Sequence, residues 1–194
     1  MTPDRLRLDG IHTLVADGDP AGGALLLEML RGLGFTSVKL AETAKAAQAA
    51  LEQDGYDLCL CDAALPDAGG ADLIRAVRAA PAPLRFLPIL AMTGYAAEAQ
   101  VLALRDAGAH LVMKKPLSPQ SLYDRLAWVA QPRRAFIESP AYVGPDRRFR
   151  CLGPPGGIGR RATDLSIEIG AATEPNLSQD EIDSLIKPMK VMAE

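Results

Sequence analysis

Cysteine is scarce in this 194-residue chain: there are three, an odd number, with no Cys-x-x-Cys spacing to mark a redox pair. Cys59 and Cys61 stand two apart, so in a strand they share a face and read as buried thiols of a reducing cytosol. Histidine is scarcer still, with only His12 and His110. There is also no phosphate-binding glycine loop and no nucleophile–base pair, which argues against an enzyme acting on a small metabolite. Aromatic residues make up 5% of the chain while alanine is abundant, which favours helices packed closely on a sheet over a β-sandwich. No apolar run approaches the ~18 residues of a membrane span, and the first residues do not read as a signal peptide. A cytoplasmic location is therefore expected. A net charge of −3 is too mild to argue for nucleic-acid binding by the whole chain.

What is present is a hydrophobic fraction of 48%, enough for one ordinary domain with an appendage. The organising stretch is Tyr56-Asp57-Leu58-Cys59-Leu60-Cys61-Asp62, followed by Leu65-Pro66 and Gly69-Gly70. It reads as a strand buried on both faces that ends in a carboxylate, then a loop, then a helix. Further strands are predicted over 11–16, 35–40, 86–92 and 110–113. Helices are predicted after Asp19-Pro20, from Thr43 through Leu51, and over 71–79 and 96–107, with a last one capped by Ser118. Five such βα units predict a doubly wound α/β sheet.

In a parallel sheet the C-terminal ends of the strands converge on one crevice, where open α/β folds place their ligands. Those ends carry Asp17, Asp62, Thr93 and Lys115. Taken singly, Asp62 reads more readily as a loop cap than as a functional acid. Taken together, two acids, a hydroxyl and a lysine suit a divalent cation and a phosphoryl group. Lys115 would neutralise phosphoryl charge and Thr93 would hydrogen-bond a phosphoryl oxygen.

Residues 1–131 resemble a response-regulator receiver domain. The resemblance rests on Val15-Ala16-Asp17-Gly18-Asp19-Pro20, the stretch ending in Asp62, Pro88-Ile89-Leu90-Ala91-Met92-Thr93-Gly94, and Lys115-Pro116. It implies a flavodoxin-like five-stranded parallel sheet of order 2-1-3-4-5, with Asp62 accepting a phosphoryl group from a histidine kinase or phosphotransfer protein. It also implies Mg²⁺ held by Asp17, Asp62 and the Ala64 backbone carbonyl, and a cis bond before Pro116. The chain departs from the family in two places. Gly18 stands where a second acid usually binds the metal, which should weaken Mg²⁺ and leaves Asp19 as a substitute ligand. Val112 stands where an aromatic switch residue is usual. A phosphorylation-independent receiver used as a scaffold is the alternative.

Beyond Gln131 the texture changes. Residues 132–176 are rich in Pro, Gly and Arg and read as a flexible linker unable to build a ladder of any length. Gly144-Pro145-Asp146-Arg147-Arg148 and Gly159-Arg160-Arg161-Ala162-Thr163-Asp164 form a degenerate repeat whose Arg pairs suit either a solvated linker or polyanion contacts. Residues 177–187 read as a short amphipathic helix with a Ser178–Glu181 capping box, and 188–194 as a terminal tail. Ile182, Leu185 and Ile186 form its apolar stripe, Leu177 is placed to staple onto Ile182, and these four are the candidate partner-binding residues. The segment is similar to the receiver-binding N-terminal peptide of the flagellar motor switch protein, which implies docking on a receiver face, its own or another's. No DNA-binding output domain fits after residue 131. Signalling by protein contact, in chemotaxis, motility or a phosphorelay, is the expected function.

Overall fold

A computed structural model of the chain describes residues 6–130, 136–139, 142–146 and 177–186. Five parallel strands, β1 (His12–Ala16), β2 (Ser37–Ala41), β3 (Leu58–Asp62), β4 (Ile89–Thr93) and β5 (Leu111–Lys114), pair in the order β2-β1-β3-β4-β5. Every residue of β3 and β4 is buried, as the unbroken apolar runs require of strands covered on both faces.

The helices that cover them are α1 (Pro20–Leu33), α2 (Ala44–Gln53), α3 (Gly70–Ala79), α4 (Glu98–Ala107), α5 (Pro119–Val129) and α6 (Gln179–Ile186). Strand alternation splits the core in two. Val15, Leu60, Leu90, Met92 and Met113 meet Leu26 and Leu30 of α1 and Leu122 and Leu126 of α5. Leu14, Cys59, Cys61, Ala91 and Val112 face α2, α3, α4 and α6. Both thiols of β3 are thus buried on one face, as their spacing predicts, and burial pushes the Cys59 pKa up to about 12.

Local signals set the helix ends. The Asp19 carboxylate accepts from the Ala21 and Gly22 amides with Pro20 at the first position of α1, and Gly34 closes it in the left-handed region at φ 109°. Thr43 caps α2 by accepting from the Ala46 amide, and Asp67 accepts from the Ala44 and Lys45 amides at 2.7 and 2.9 Å. Nothing beside Asp67 in the sequence marks this role, because its nearer partner, Lys45, is 22 residues away. Its carboxyl is held below the ordinary 3.8, first by the Lys45 amide and then, against some desolvation, by that of Ala44. A lowered folded pKa gives stability that is present above the unfolded value and lost as pH falls through the folded one. Asp67→Asn is therefore expected to flatten the acid limb of a plot of urea midpoint against pH below about 4.

Two expectations differ from the structure. The fourth strand begins at Ile89 rather than residue 86, because Leu84–Phe86 turns as a 3-10 helix between the cis Ala82–Pro83 bond and Pro88. The stretch read as unable to form a ladder contains one: β6 (Phe136–Ser139) and β7 (Tyr142–Pro145) pair antiparallel. Counting prolines missed it because the ladder is only four residues long and its support is tertiary. The Phe136 ring meets Phe86 edge-on at 5.0 Å and lies 5.3 Å from the guanidinium carbon of buried Arg78. Arg78 in turn donates to Gly108 O at 3.1 and 2.9 Å and to Arg85 O at 2.8 Å.

Candidate functional site

The parallel register brings three sequence-predicted residues to one place at the C-terminal edge of the sheet. Asp17 follows β1, Asp62 ends β3 and Lys115 follows β5. The Lys115 ammonium lies 2.7 Å from Asp17 Oδ2 and also donates to Asp62 Oδ2. The other oxygen of each acid is held by its own turn, Asp17 Oδ1 by the Asp19 amide and Asp62 Oδ1 by the Ala64 amide, both at 3.0 Å. Asp17 is only 1% exposed and Asp62 8%. Burial pulls the Lys115 pKa down, but its hydrogen bonds to both carboxylates, with their charge, outweigh it and leave the ammonium above its ordinary value. Two carboxylates around one ammonium leave one net negative charge facing the cleft. The Lys115–Pro116 bond is cis.

Thr93 is not brought into this contact. It ends β4 beside Asp62, but its hydroxyl lies 2.7 Å from Tyr95 O and 3.0 Å from the Gln100 side-chain oxygen, and it accepts from the Tyr95 amide. Asp19 lines the same 400 Å³ hollow as Asp17 and Lys115, yet both of its oxygens are committed to capping α1. Gly18 packs tightly: a Cβ there would lie 2.7 Å from Pro66 Cδ and 3.4 Å from the Ala64 carbonyl oxygen. The Ala64 carbonyl therefore lies close to Gly18, which follows Asp17 in the chain.

Among the described residues no group of three or more His, Cys, Asp or Glu side chains gathers at metal-binding distance. The donor set here is two carboxylates and one backbone carbonyl. All are hard oxygens, and Mg²⁺ is commonly held by one or two carboxylates with several waters retained, so these residues fit that ion.

The segment carrying the candidate partner-binding residues lies against α4 and β5 of its own chain. Ile182 and Ile186 are buried in the core cluster with Val101, Leu104 and Val112, while Leu177 and Leu185 are half-buried against it. The Ser178–Glu181 capping box is formed. Three residues, Gln179, Asp183 and Arg105, make polar contacts that the sequence alone does not announce. The Gln179 amide takes the Lys114 N–H at 2.6 Å and gives to Val112 O at 3.2 Å, reading the open side of β5 as another strand would. Asp183 pairs with Arg125 of α5 at 2.6 Å, and Arg105 of α4 donates to Leu185 O at 3.3 Å. The only sequence signal for the first two was Gln and Asp four apart on one helix face.

A doubly wound sheet with two acids and a lysine gathered at its carboxyl edge defines a receiver-type signalling module. Residues 13–127 match the family described as the response regulator receiver domain, and the chain belongs to that family. It is 31% identical over 113 residues to the chemotaxis protein CheY of Pseudomonas aeruginosa, covering 58% of this chain and 90% of that protein. Chemotaxis protein CheY-3 of Vibrio cholerae is 27% identical over 113 residues, covering 58% and 86%. Among solved structures, the receiver domain of the Pseudomonas aeruginosa sensor histidine kinase PA1611 superposes with a TM-score of 0.58 at 28% identity. That match covers 63% of this chain and 99% of the other, which carries a magnesium ion in its active-site cleft. The family consists of two-component signalling proteins that work with histidine kinases or phosphotransfer proteins and are not enzymes in the usual sense. No described helix is long and apolar enough to cross a membrane.

Proposed function

We propose that Asp62 accepts a phosphoryl group from a histidine kinase or phosphotransfer protein and that the chain signals by protein contact in the cytoplasm. The observation that carries this reading is the pair of buried carboxylates at the ends of β1 and β3 bridged by the Lys115 ammonium. An Asp62 carboxylate oxygen attacks the phosphorus of a phosphohistidine. The new P–O bond forms as the P–N bond breaks, and the imidazole leaves with the bond's electron pair. Lys115 pairs with the phosphoryl oxygens and Asp17 keeps that lysine in place. Mg²⁺, held by Asp17, Asp62 and the Ala64 carbonyl, would supply charge neutralisation at those oxygens when bound. The chemotaxis relatives, and the likeness of residues 177–187 to a motor-switch peptide, support a role in motility signalling through the α4–β5–α5 side.

The test is intact mass after incubation with Mg²⁺ and acetyl phosphate. Wild type is expected to gain one phosphoryl group and Asp62→Asn none. A wild type that stays unmodified, with acetyl phosphate and with a phosphorylated histidine phosphotransfer protein, would favour the scaffold reading. Gly18 in place of an acid, and Asp19 already committed to its cap, are the observations behind that second reading.

A further inference from the structure

We infer that α6 is an intramolecular brake on Asp62: docked α6 and a phosphoryl group on Asp62 oppose each other. The inference rests on Asp62 being the phosphoacceptor and adds the sign and the route of the coupling.

The route begins at Thr93. Asp62 pairs in register with Met92, and the Ala63 amide donates to Met92 O at 2.7 Å, so Thr93 is the next residue along the strand beside the acceptor. A hydroxyl has a single proton to give. Thr93 Oγ1 is held by three groups of its own loop and the start of α4, namely Tyr95 O, Tyr95 N and the Gln100 side chain. A phosphoryl group on Asp62 brings acceptor oxygens that compete for that proton. Turning Thr93 toward them gives up the contacts that shape residues 94–97.

That loop is also what α6 holds. The Leu177 amide donates to Ala96 O at 2.8 Å, and fully buried Ala96 shares its cluster with fully buried Ile182. On the neighbouring strand, Gln179 binds Val112 O and Lys114 N, the latter one residue before the lysine that bridges the two acids. The tail segment thus fastens the backbone beyond Thr93 and the backbone just before Lys115, the two donors a phosphoryl group would recruit. Docked as it is, α6 favours the arrangement in which Thr93 faces its own loop and Lys115 faces the carboxylates. By linkage, whatever draws Thr93 and Lys115 to a phosphoryl group loosens α6, and releasing α6 eases phosphoryl binding by the same factor.

The test uses the full chain, Ile182→Glu to undock α6, and Gln179→Ala to remove only the contact to β5. Circular dichroism checks that each variant is folded. The probe is beryllofluoride with Mg²⁺ as a phosphoryl mimic, read by titration and by hydrogen–deuterium exchange over 177–186. Beryllofluoride is expected to speed exchange there in wild type. Ile182→Glu is expected to bind it about tenfold more tightly, within the range usual for coupled sites, with Gln179→Ala between the two. Equal affinity in all three chains with unchanged exchange would overturn the brake, as would protection of 177–186 by the mimic. Absence of both binding and acetyl-phosphate labelling in every chain would instead remove the phosphoacceptor reading, and the brake with it.

Discussion

Gly70→Ala is expected to destabilise the fold by about 3 kcal/mol, the upper end of overpacking costs, and to cut phosphoryl incorporation at the same time. A Cβ at position 70 would overlap the Asp62 carbonyl oxygen and stand 3.0 Å from Ala63 Cα. Both are backbone atoms of the segment that carries Asp62, so no rotamer change can relieve the clash. Either α3 retreats, losing the 2.9 Å bond from the Gly70 amide to Ala63 O, or the end of β3 moves and takes Asp62 away from Lys115. A chain of this size loses roughly 2–4 °C per kcal/mol, so a melting point lower by about 6–12 °C is expected. A 1 Å displacement of a reacting group can cost about 10²-fold in rate. Calorimetry and timed intact-mass labelling check the two halves. A variant that melts and labels like wild type would show that this close approach does not constrain the site.

The second large effect is expected at Arg78, far from the acids. Arg78→Met is expected to cost about 3 kcal/mol, since a buried acceptor stripped of its donor costs roughly 1–3 kcal/mol. Here two acceptors lose theirs: Gly108 O at the end of α4 and Arg85 O in the 3-10 turn. Burial lowers the guanidinium pKa to about 10, so the group is charged at neutral pH, yet no carboxylate pairs with it among the described residues. Its compensation comes from the Arg85 carbonyl and from that of Gly108 at the C-terminal end of α4, where the helix dipole favours a cation. Arg78→Lys keeps the charge but lacks the planar fork that reaches both carbonyls, so it should recover only part of the loss. Phe136 rests on this guanidinium, so exchange over 136–139 and 142–145 should accelerate in both variants. A melting point within a degree of wild type for Arg78→Met would contradict this account.

The sheet was legible because each strand states its own burial. The four apolar residues between Asp57 and Asp62 read as covered on both faces, and cap signals at Asp19-Pro20, Thr43 and Ser118 fixed where helices begin. Asp17, Asp62 and Lys115 could be brought together from sequence because a parallel sheet aligns strand ends regardless of what lies between them. Thr93 was placed at the right edge, but its direction was not legible, because a hydroxyl's partner depends on the following loop closing over it. Arg78 and Asp67 were invisible for a related reason: each acts on carbonyls or amides that are distant in sequence, and a lone charged residue on a helix or loop carries no mark of that. The hairpin was lost because composition describes a segment's average, and eight residues with a tertiary partner can depart from it.

One consequence follows from β5 lying at the border of the sheet. A bare border strand presents unpaired backbone groups to any other extended chain, and natural proteins usually guard it with charge, short length or a covering segment. In this protein the guard is a glutamine side chain, which satisfies one donor and one acceptor of β5 while Ile182 and Ile186 cover the neighbouring apolar surface. The guard is part of the same chain, so if α6 undocks as inferred above, the released form is also the one exposed to self-association. The safe lifetime of that form would depend on how quickly α6 docks again or another segment covers β5.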